Sequence, residues 1–376
     1  VLTSLPNYPD KALFNHYYAD PSSFQFFEGI KIHRSFQFLR GTSKFSLFIN
    51  YLSFFIFSCL FIILKLRKSK FDLIFSVQLS PVFSSIPAIF ASRYFKKPLF
   101  LWILDLWPDS LRLAEINSEG GLYSIVNFIS QKIYKSADLL LISSKGFKDK
   151  LLKMSLDANK IIYFPQWVEG LYVNGHVNDE KKEKYVSNLM SKYINKNIFM
   201  FAGNIGEAQD FASIVEGISR SSVRHDINFM IIGEGRYKSE LEKLIRDYNL
   251  HDTVHLLGRY ESEFMPFFYN YADFLVLSLS DSPISRLTFP GKMQTYMNAG
   301  KPILAMIEGE TSQIISESSC GFVADFGDAS HFSALLEECC FLNKDDRRLL
   351  GENGKRYANE NFSLSSLKKR ILEIMP

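Results

Sequence analysis

The stretch Ile198–Gly206, IFMFAGNIG, decides the fold predicted for this chain. Its first five residues are apolar and suit a buried strand, and its two glycines allow a tight turn before a helical pattern at Phe211–Arg220. The same succession of apolar run, turn and helical pattern recurs towards the end of the chain. Strands that alternate with helices in this way indicate βαβ units around a parallel sheet. The predicted fold class is therefore α/β.

The first half of the chain shows the same alternation. Its strands are predicted at Phe71–Val77, Leu99–Leu104, Asp138–Ser143 and Ile161–Phe164. A proline-containing segment at Phe164–Glu169 and a charged run at Asn178–Lys184 separate the two halves, and 376 residues suit two domains. We predict two doubly wound, Rossmann-like domains at 1–168 and 169–362, facing each other across a ligand cleft. A last helix at 363–376 could pack back on the first domain.

Composition narrows the classes of function. The chain is 47% hydrophobic, which supplies large cores, and its net charge of +3 is too small to indicate nucleic-acid binding. The four cysteines have no metal-ligand spacing and the seven histidines are scattered, so no metal is expected. The opening VLTSLPNYPD is typical of a strand end that enters a turn. We therefore expect the first domain to lack its first strand and helix.

One segment, Phe45–Leu64, is apolar and free of charge over twenty residues, and as a helix of about 30 Å it could cross a bilayer. However, Ser46, Asn50 and Ser53 share one helical stripe, and the segment leads into a strand expected to be buried, Phe71–Val77. The flanking charges are all basic, which suits an anionic cytoplasmic leaflet. We favour a helix that lies in the membrane interface or is half-buried in a domain over a spanning helix or a fully buried core helix.

Three glycine-rich turns follow predicted strands of the second half. They contain Gly203, Asn204 and Gly206, then Gly233 and Gly235, and then Gly258, Arg259 and Tyr260. Glycine lets a backbone approach a phosphate closely, and the Asn204 amide can donate hydrogen bonds. Each turn by itself has an equally simple structural explanation. Their convergence at one edge of a sheet favours a ligand site.

The segment Asp281–Gly300, DSPISRLTFPGKMQTYMNAG, adds positive charge at the same edge. Its Gly-Lys pair precedes a short helix, where backbone N–H groups and the ammonium of Lys292 could hold an anion. Arg286 lies six residues earlier. Both cations could equally be solvated surface charges.

In the first domain, Asp105 follows a predicted strand in the motif DLWPDS. A carboxylate at a strand end that faces a cleft could act as a base or bind sugar hydroxyls. The alternative is a structural role, and for Asp109, four residues later, we favour a helix cap.

These motifs, in order over nearly the whole chain, resemble those of nucleotide-sugar glycosyltransferases with the GT-B fold, in the large retaining family 4. The closest likeness is to the bacterial branch that builds O-antigen and capsule chains and contains the L-fucosamine transferases. The motifs that carry the resemblance are VLTSLPNYPD, DLWPDS, SSKGFKDKL, FPQWVE, FAGNIGEAQ, IIGEGRYKSEL, HLLGRY, ADFLVLSL and FPGKMQTYMNAGKPILA.

The resemblance implies roles for individual residues. Arg286, Lys292 and Asp105 would be catalytic, with Asp105 facing the acceptor. The residues implied in donor binding are Gly203, Asn204, Gly206, Gly233, Gly235, Gly258, Arg259, Tyr260, Ser285 and Thr295. Many family members carry Arg and Lys where this chain has Asn204 and Gln209, and a pair of Glu where it has Leu287 and Thr295. Arg286 and Lys292 would then supply most of the positive charge for the diphosphate.

The predicted function is transfer of a sugar, with retention and without a metal or other cofactor, by a hexosyltransferase. The donor would be a nucleotide-sugar, UDP-linked and carrying an N-acetylated deoxy sugar, and the acceptor a polyprenyl-linked saccharide in bacterial surface polysaccharide synthesis. The expected location is the cytoplasmic face of the cell membrane, peripheral on its anionic surface. The alternatives are a nucleotide-sugar epimerase or hydrolase of GT-B fold and a non-catalytic assembly subunit.

Overall fold

The computed structural model describes residues 1–6, 14–39, 41, 43–114, 120–168 and 179–375, which divide into two compact units. The first unit comprises Val1–Ile142 and Lys148–Tyr163, and the second comprises Ser143–Phe147 and Phe164–Met375. The predicted domain boundary after residue 168, the first residue of the charged run and the last four residues of the opening VLTSLPNYPD involve residues outside those described.

The first unit is built on a parallel four-stranded sheet in the order β5-β6-β7-β8. These strands are Ile74–Gln78, Leu99–Ile103, Leu139–Ile142 and Ile161–Tyr163. Before them, β1 (Leu2–Ser4) pairs in parallel with β4 (His33–Ser35), and β2 (Phe26–Phe27) forms an antiparallel hairpin with β3 (Ile30–Lys31). The helices of this part of the chain are α1 (Asn15–Ala19), α2 (Lys44–Phe61), α3 (Ile86–Phe95), α4 (Gly121–Lys135) and α5 (Gly146–Lys153).

The strand expected to be buried at Phe71–Val77 is an exposed edge strand instead. Within the described residues β5 pairs only with β6, and alternate side chains, Phe75 and Val77, are exposed. The apolar composition of this segment suggested a buried strand, but its position at the end of the sheet leaves one face open. By contrast, every residue of β6 is buried.

The second unit contains a six-stranded parallel sheet in the order β11-β10-β9-β12-β13-β14. The strands are β9 (Asn197–Ala202), β10 (Ile227–Ile232), β11 (Val254–Gly258), β12 (Phe274–Ser278), β13 (Ile303–Met306) and β14 (Gly321–Ala324). The chain builds outward from β9 to β11, then returns to β12 on the other side of β9. This reversal is the doubly wound order, and it opens a crevice at the carboxyl ends of β9 and β12.

Both faces of the six-stranded sheet are covered, which explains why its strands are continuous apolar runs. Ile198 and Met200 of β9 belong to one buried cluster, whereas Phe199 and Phe201 belong to another on the opposite face. The helices of this part of the chain are α6 (Glu180–Met190), α7 (Phe211–Arg220), α8 (Lys238–Asp247), α9 (Met265–Tyr271), α10 (Lys292–Asn298), α11 (Glu310–Ser318), α12 (Ala329–Phe341), α13 (Lys344–Asn361) and α14 (Leu364–Ile374). The predicted α/β class, with doubly wound parallel sheets, is confirmed.

Candidate functional site

The three glycine-rich turns meet in backbone contact at the carboxyl edge of the second sheet. The Gly203 N–H donates to the Ile232 carbonyl at 2.8 Å, and the Gly233 N–H donates to the Gly258 carbonyl at 2.8 Å. A methyl group added at Gly233 would lie 1.8 Å from the Gly203 oxygen, so no larger residue fits there. The sequence predicted this convergence because all three turns follow strands of one sheet.

Gly206 and Gly235 lie behind this edge and hold the first turn in place. A Cβ at Gly235 would fall 2.0 Å from the Ile205 carbonyl oxygen. The Gly206 N–H donates at 3.0 Å to Oε1 of Gln209. The Gln209 side chain therefore fixes the conformation of the loop. This contact gives Gln209 a structural role at a position where many members of the resembled family carry a lysine.

An open cavity of about 1200 Å³ lies against the turns, entirely within the second unit. Its wall combines backbone from glycine-rich turns with polar and charged side chains. The side chains include Asn204, Glu234, Arg259, Tyr260, Glu261, Ser262, Glu263, Lys292 and Thr295. Of the residues predicted in donor binding, Gly203, Asn204, Gly233, Arg259, Tyr260 and Thr295 are brought together here.

Lys292 is held at the cavity by the packing of its helix. The buried Tyr296, one turn later on α10, accepts a hydrogen bond from the Ala202 N–H at 2.9 Å, which ties the helix to the end of β9. The Lys292 Nζ lies 3.9 Å from the centre of the Phe201 ring. A Cβ built on Gly203 would be only 2.7 Å from the same Nζ, so glycine is required for the ammonium to reach this place.

The Lys292 ammonium is buried without a hydrogen-bond partner among the described residues. Its contact with the aromatic face of Phe201 is a cation–π interaction, which compensates only part of the lost hydration. Burial lowers the pKa of Lys292 to about 7. An anion in the cavity would supply the missing partner and favour the charged form.

The positive charge of Arg286, in contrast, is already balanced by two carboxylates. Its guanidinium donates to Asp281 Oδ1 at 2.8 Å, forms a second ion pair with Glu308 and lies 5.1 Å from the Phe326 ring centre. Ser285 is buried, and its hydroxyl lies 2.6 Å from that of Ser282. Neither residue belongs to the cavity wall defined above. The two cations predicted to act together thus occupy different electrostatic situations.

Tyr260 forms an aromatic part of the wall. Its ring centre lies 4.8 Å from that of Phe268 and 5.7 Å from that of Phe264, and its hydroxyl lies 3.5 Å from that of Tyr185. Burial is the largest cause that raises the pKa of Tyr260 to about 12. The phenol therefore offers a flat face and a neutral hydroxyl, which suits stacking on a base.

Sequence reasoning missed the carboxylates of the wall, Glu234, Glu261 and Glu263. Glu234 pairs with Lys238 at 2.7 Å, whereas no ion pair of the other two is recorded in the described part of the chain. The available signal was position, because Glu261 and Glu263 directly follow the turn at Gly258–Tyr260. Acidic groups next to an anion site can accept hydrogen bonds from ribose or sugar hydroxyls.

Asp105 lies in the first unit, just after β6. Its Oδ2 accepts a hydrogen bond from the Ser80 N–H at 2.9 Å, and its carbonyl accepts one from Gln78 Nε2 at 2.9 Å. Asp105 thus joins the loops after two neighbouring strands.

Asp109, expected to be a helix cap, starts a short 3₁₀ helix and is a buried partner of Lys150 at 3.0 Å. In the described residues no group of three or more His, Cys, Asp or Glu side chains could hold a metal ion.

Comparison with known proteins places this geometry in context. Residues 178–357 match the family described as Glycosyl transferases group 1. The 2-deoxystreptamine N-acetyl-D-glucosaminyltransferase of Niallia circulans is 20% identical over 289 residues, which cover 74% of this chain and 69% of the relative. A second relative, from Campylobacter jejuni, is the N-acetylgalactosamine-N,N'-diacetylbacillosaminyl-diphospho-undecaprenol 4-alpha-N-acetylgalactosaminyltransferase. It is 28% identical over 144 residues, covering 37% of this chain and 35% of that protein.

Solved structures share the fold at lower identity. The structure of Anabaena Alr3699/HepE in complex with UDP and glucose superposes with a TM-score of 0.70 and 14% identity, covering 99% of this chain and 90% of the other. The apo form of the lipopolysaccharide outer core galactosyltransferase WaaB gives a TM-score of 0.61 at 14% identity, covering 99% and 97%. At these identities the likeness shows the fold, which is GT-B.

Proposed function

We infer that this chain, which has the GT-B fold and whose residues 178–357 match the glycosyl transferases group 1 family, moves a sugar from a nucleotide-diphosphate donor to an acceptor. The observation that carries the proposal is the buried ammonium of Lys292, which has no hydrogen-bond partner in the described part of the chain and lies beside the backbone of Gly203, in a cavity lined by glycine turns. The ammonium of Lys292 could balance negative charge on the diphosphate of a nucleotide-sugar.

The chemical problem is negative charge that develops on the departing diphosphate. The ammonium of Lys292, which has no hydrogen-bond partner among the described residues, would stabilise that charge, and no metal is needed in this scheme. Arg286 could contribute only by leaving Asp281 and Glu308, since it is paired with both. Asp105 remains the proposed acceptor-side residue of the first unit, and retention is proposed from the family resemblance alone.

The donor nucleoside is proposed to be uridine, and the transferred group an N-acetylated hexose. Two observations support this choice. The printed names of the Niallia and Campylobacter relatives specify N-acetylglucosaminyl and N-acetylgalactosaminyl transfer, and the Anabaena structure contains UDP. The Campylobacter name also specifies a diphospho-undecaprenol acceptor, which supports a polyprenyl-linked saccharide here. Surface-polysaccharide synthesis at the cytoplasmic face follows as part of the proposal.

The test is ligand-dependent thermal unfolding of the whole chain with UDP, GDP and a panel of UDP-sugars. A bound nucleotide at a hundredfold excess over its Kd stabilises the folded state by about 2.7 kcal/mol. We expect UDP to raise the unfolding temperature and GDP to leave it unchanged, with the largest shift for a UDP-N-acetylhexosamine.

Three outcomes would contradict the proposal in different ways. If no nucleotide shifts the transition, the donor site is absent and the assembly-subunit alternative is favoured. If UDP-sugars bind but incubation without acceptor releases free or epimerised sugar at full rate, water rather than a lipid-linked saccharide takes part. A shift with GDP alone would move the donor to another base.

A further inference from the structure

Helix α2 presents its apolar side to solvent and its polar side to the protein. Asn50, Ser53 and Ser58 are buried, with at most 4% of their surface exposed. The exposed residues follow one another at spacings of three or four, which places them on one helical face. This α2 face consists of Phe45, Phe48, Leu52, Ile56 and Leu60 of α2 and of Leu64 in the π-helical turn Ile62–Leu66 that continues the helix; Phe45 is 74% exposed and Phe48 is 59% exposed.

Hydrogen bonds fix the helix in this rotation. The Ser53 hydroxyl accepts from the Phe38 N–H at 3.0 Å, and Gln37 Nε2 donates to Asn50 Oδ1 at 2.9 Å. Further along, the hydroxyls of Ser35 and Ser58 lie 2.8 Å apart in the interior. Turning the apolar face inward would break these hydrogen bonds, and a buried polar group that loses its partner destabilises the fold.

Aromatic side chains extend the apolar surface beside the helix. Phe36 and Phe38 are each about half exposed, and their ring centres lie 5.2 Å apart. The Phe36 ring also packs edge-on against Phe57 of α2 at 4.9 Å. A contiguous exposed apolar patch of this kind is unusual on a free protein surface and marks an interaction site.

The charges next to the face identify its partner. The segment Lys65–Lys70, which starts at the end of the π-helical turn Ile62–Leu66, carries the exposed cations Lys65, Arg67, Lys68 and Lys70. None of them pairs with a carboxylate of the described residues. The sequence has no acidic residue between Glu28 and Asp72. A second copy docked on the same face by a two-fold axis would bring two such cationic segments to one interface, which is unfavourable. The surface of an anionic lipid bilayer would both cover the apolar face and balance the charge of these cations.

We propose that the α2 face lies parallel to, and within, the interfacial layer of an anionic lipid bilayer, with the segment Lys65–Lys70 among the headgroups. The length and hydropathy of Phe45–Leu66 would also permit a spanning helix. However, the buried polar side of α2 is bonded to residues 35–38 along its length, so the helix cannot leave the first unit without breaking those bonds. This inference goes beyond the proposed reaction and can fail while that reaction stands.

The test is co-sedimentation of the whole chain with vesicles of phosphatidylcholine alone, or mixed with phosphatidylglycerol at roughly one part in three. The face variant is Phe48→Ser with Ile56→Ser. Its matched control is Phe341→Ser with Leu349→Ser, two exposed apolar residues of the second unit. We expect the face variant to lower binding to the mixed vesicles on the order of a hundredfold, from the loss of two buried apolar side chains, and the control to bind like the wild type.

A second variant tests the charge. Lys65→Gln with Lys68→Gln should lower binding to the mixed vesicles by about fivefold for each charge, and should leave the weaker binding to phosphatidylcholine unchanged. Far-UV circular dichroism and the unfolding temperature verify that each variant is folded. The residues changed are exposed, so folding is expected to be retained.

Each other result overturns the inference. A wild type that stays in the supernatant with mixed vesicles, or a folded face variant that pellets like the wild type, removes the bilayer as partner. Concentration-dependent dimers that the face variant abolishes would assign the face to a second copy. Resistance of bound wild type to an alkaline carbonate wash would indicate a spanning helix rather than an interfacial one.

Discussion

Helix α2 and Lys292 both reverse the usual arrangement of apolar residues inside and charges outside, but they do so differently. In α2 the reversal is compensated within the protein, because the buried Asn50 and Ser53 are hydrogen-bonded to the segment at residues 37–38. At Lys292 the buried ammonium has no hydrogen-bond partner among the described residues. The polar contacts of α2 leave its apolar face available to an extended partner, whereas the buried ammonium of Lys292 favours the binding of an anion.

The largest expected effect concerns the uncompensated group. Lys292→Ala should lower glycosyl transfer by about a hundredfold or more, as for the loss of a charged contact to the transition state. The matched control is Lys301→Ala, a lysine just beyond the other end of the same helix whose ammonium donates to the Asn270 carbonyl at 3.0 Å. Steady-state turnover of both variants with the donor found by thermal unfolding decides the matter. Near-normal turnover of Lys292→Ala would remove the charge contact from the mechanism.

Loss of the buried hydrogen bonds of α2 should lower the free energy of unfolding rather than the rate of glycosyl transfer. Asn50→Leu leaves the Phe38 carbonyl and the Gln37 amide without this partner, at an expected cost of about 2 kcal/mol in the free energy of unfolding. Phe48→Asn, on the exposed face of the same helix, should change it by less than about 0.5 kcal/mol. Urea unfolding read out by amide hydrogen exchange within the first unit separates its transition from that of the second. Equal effects of the two variants would mean that the polar side of α2 is not compensated as described.

The smallest effect is a pH dependence that belongs to Lys292. Because burial lowers its pKa to about 7, raising the pH above that value depletes the charged form that a diphosphate prefers. UDP affinity should therefore fall by up to about tenfold per pH unit above neutrality, and Lys292→Met should bind weakly with no such slope. Calorimetry in two buffers of different ionisation enthalpy should show uptake of close to one proton near pH 8.5. A flat profile for the wild type, with UDP still bound, would show that the ammonium is charged before binding.

The free protein should show the opposite trend. The unfolded chain carries Lys292 with an ordinary pKa and so binds more protons than the folded chain between about pH 7 and 10. Its contribution makes the free energy of unfolding rise with pH across that window, and Lys292→Met should lack this contribution.

The alternation of strands and helices was readable from the sequence because a sheet covered on both faces requires continuous apolar strands. Thus β9, predicted at Ile198–Ala202, runs from Asn197 to Ala202. The burial of the Lys292 ammonium was not readable, since it depends on the Phe201 ring and the bare backbone of Gly203. The ion pairs of Arg286 were also not predictable from the sequence, because one of its partners, Glu308, comes from the loop after β13.

For α2, the sequence showed the polar stripe but not its direction. Ser46, Asn50 and Ser53 recur at helical spacing, so an asymmetric helix was predictable. That Asn50 and Ser53 face inward depends on the backbone of Phe38, a partner outside the helix that no periodicity reveals. The outward exposure of Phe45 and Phe48 rules out the alternative of a fully buried core helix.

The clamp that Gln209 places on Gly206 has a consequence for the rate at which a nucleotide is captured. Because the first turn is held by this bond and by backbone contact between Gly203 and Gly233, the conformational entropy of the loop is already lost when the chain folds. Encounter with the ligand then requires no ordering of that turn. Association at this wall should be governed by diffusion and orientation, and differences in affinity between donors should appear mainly in how slowly they dissociate.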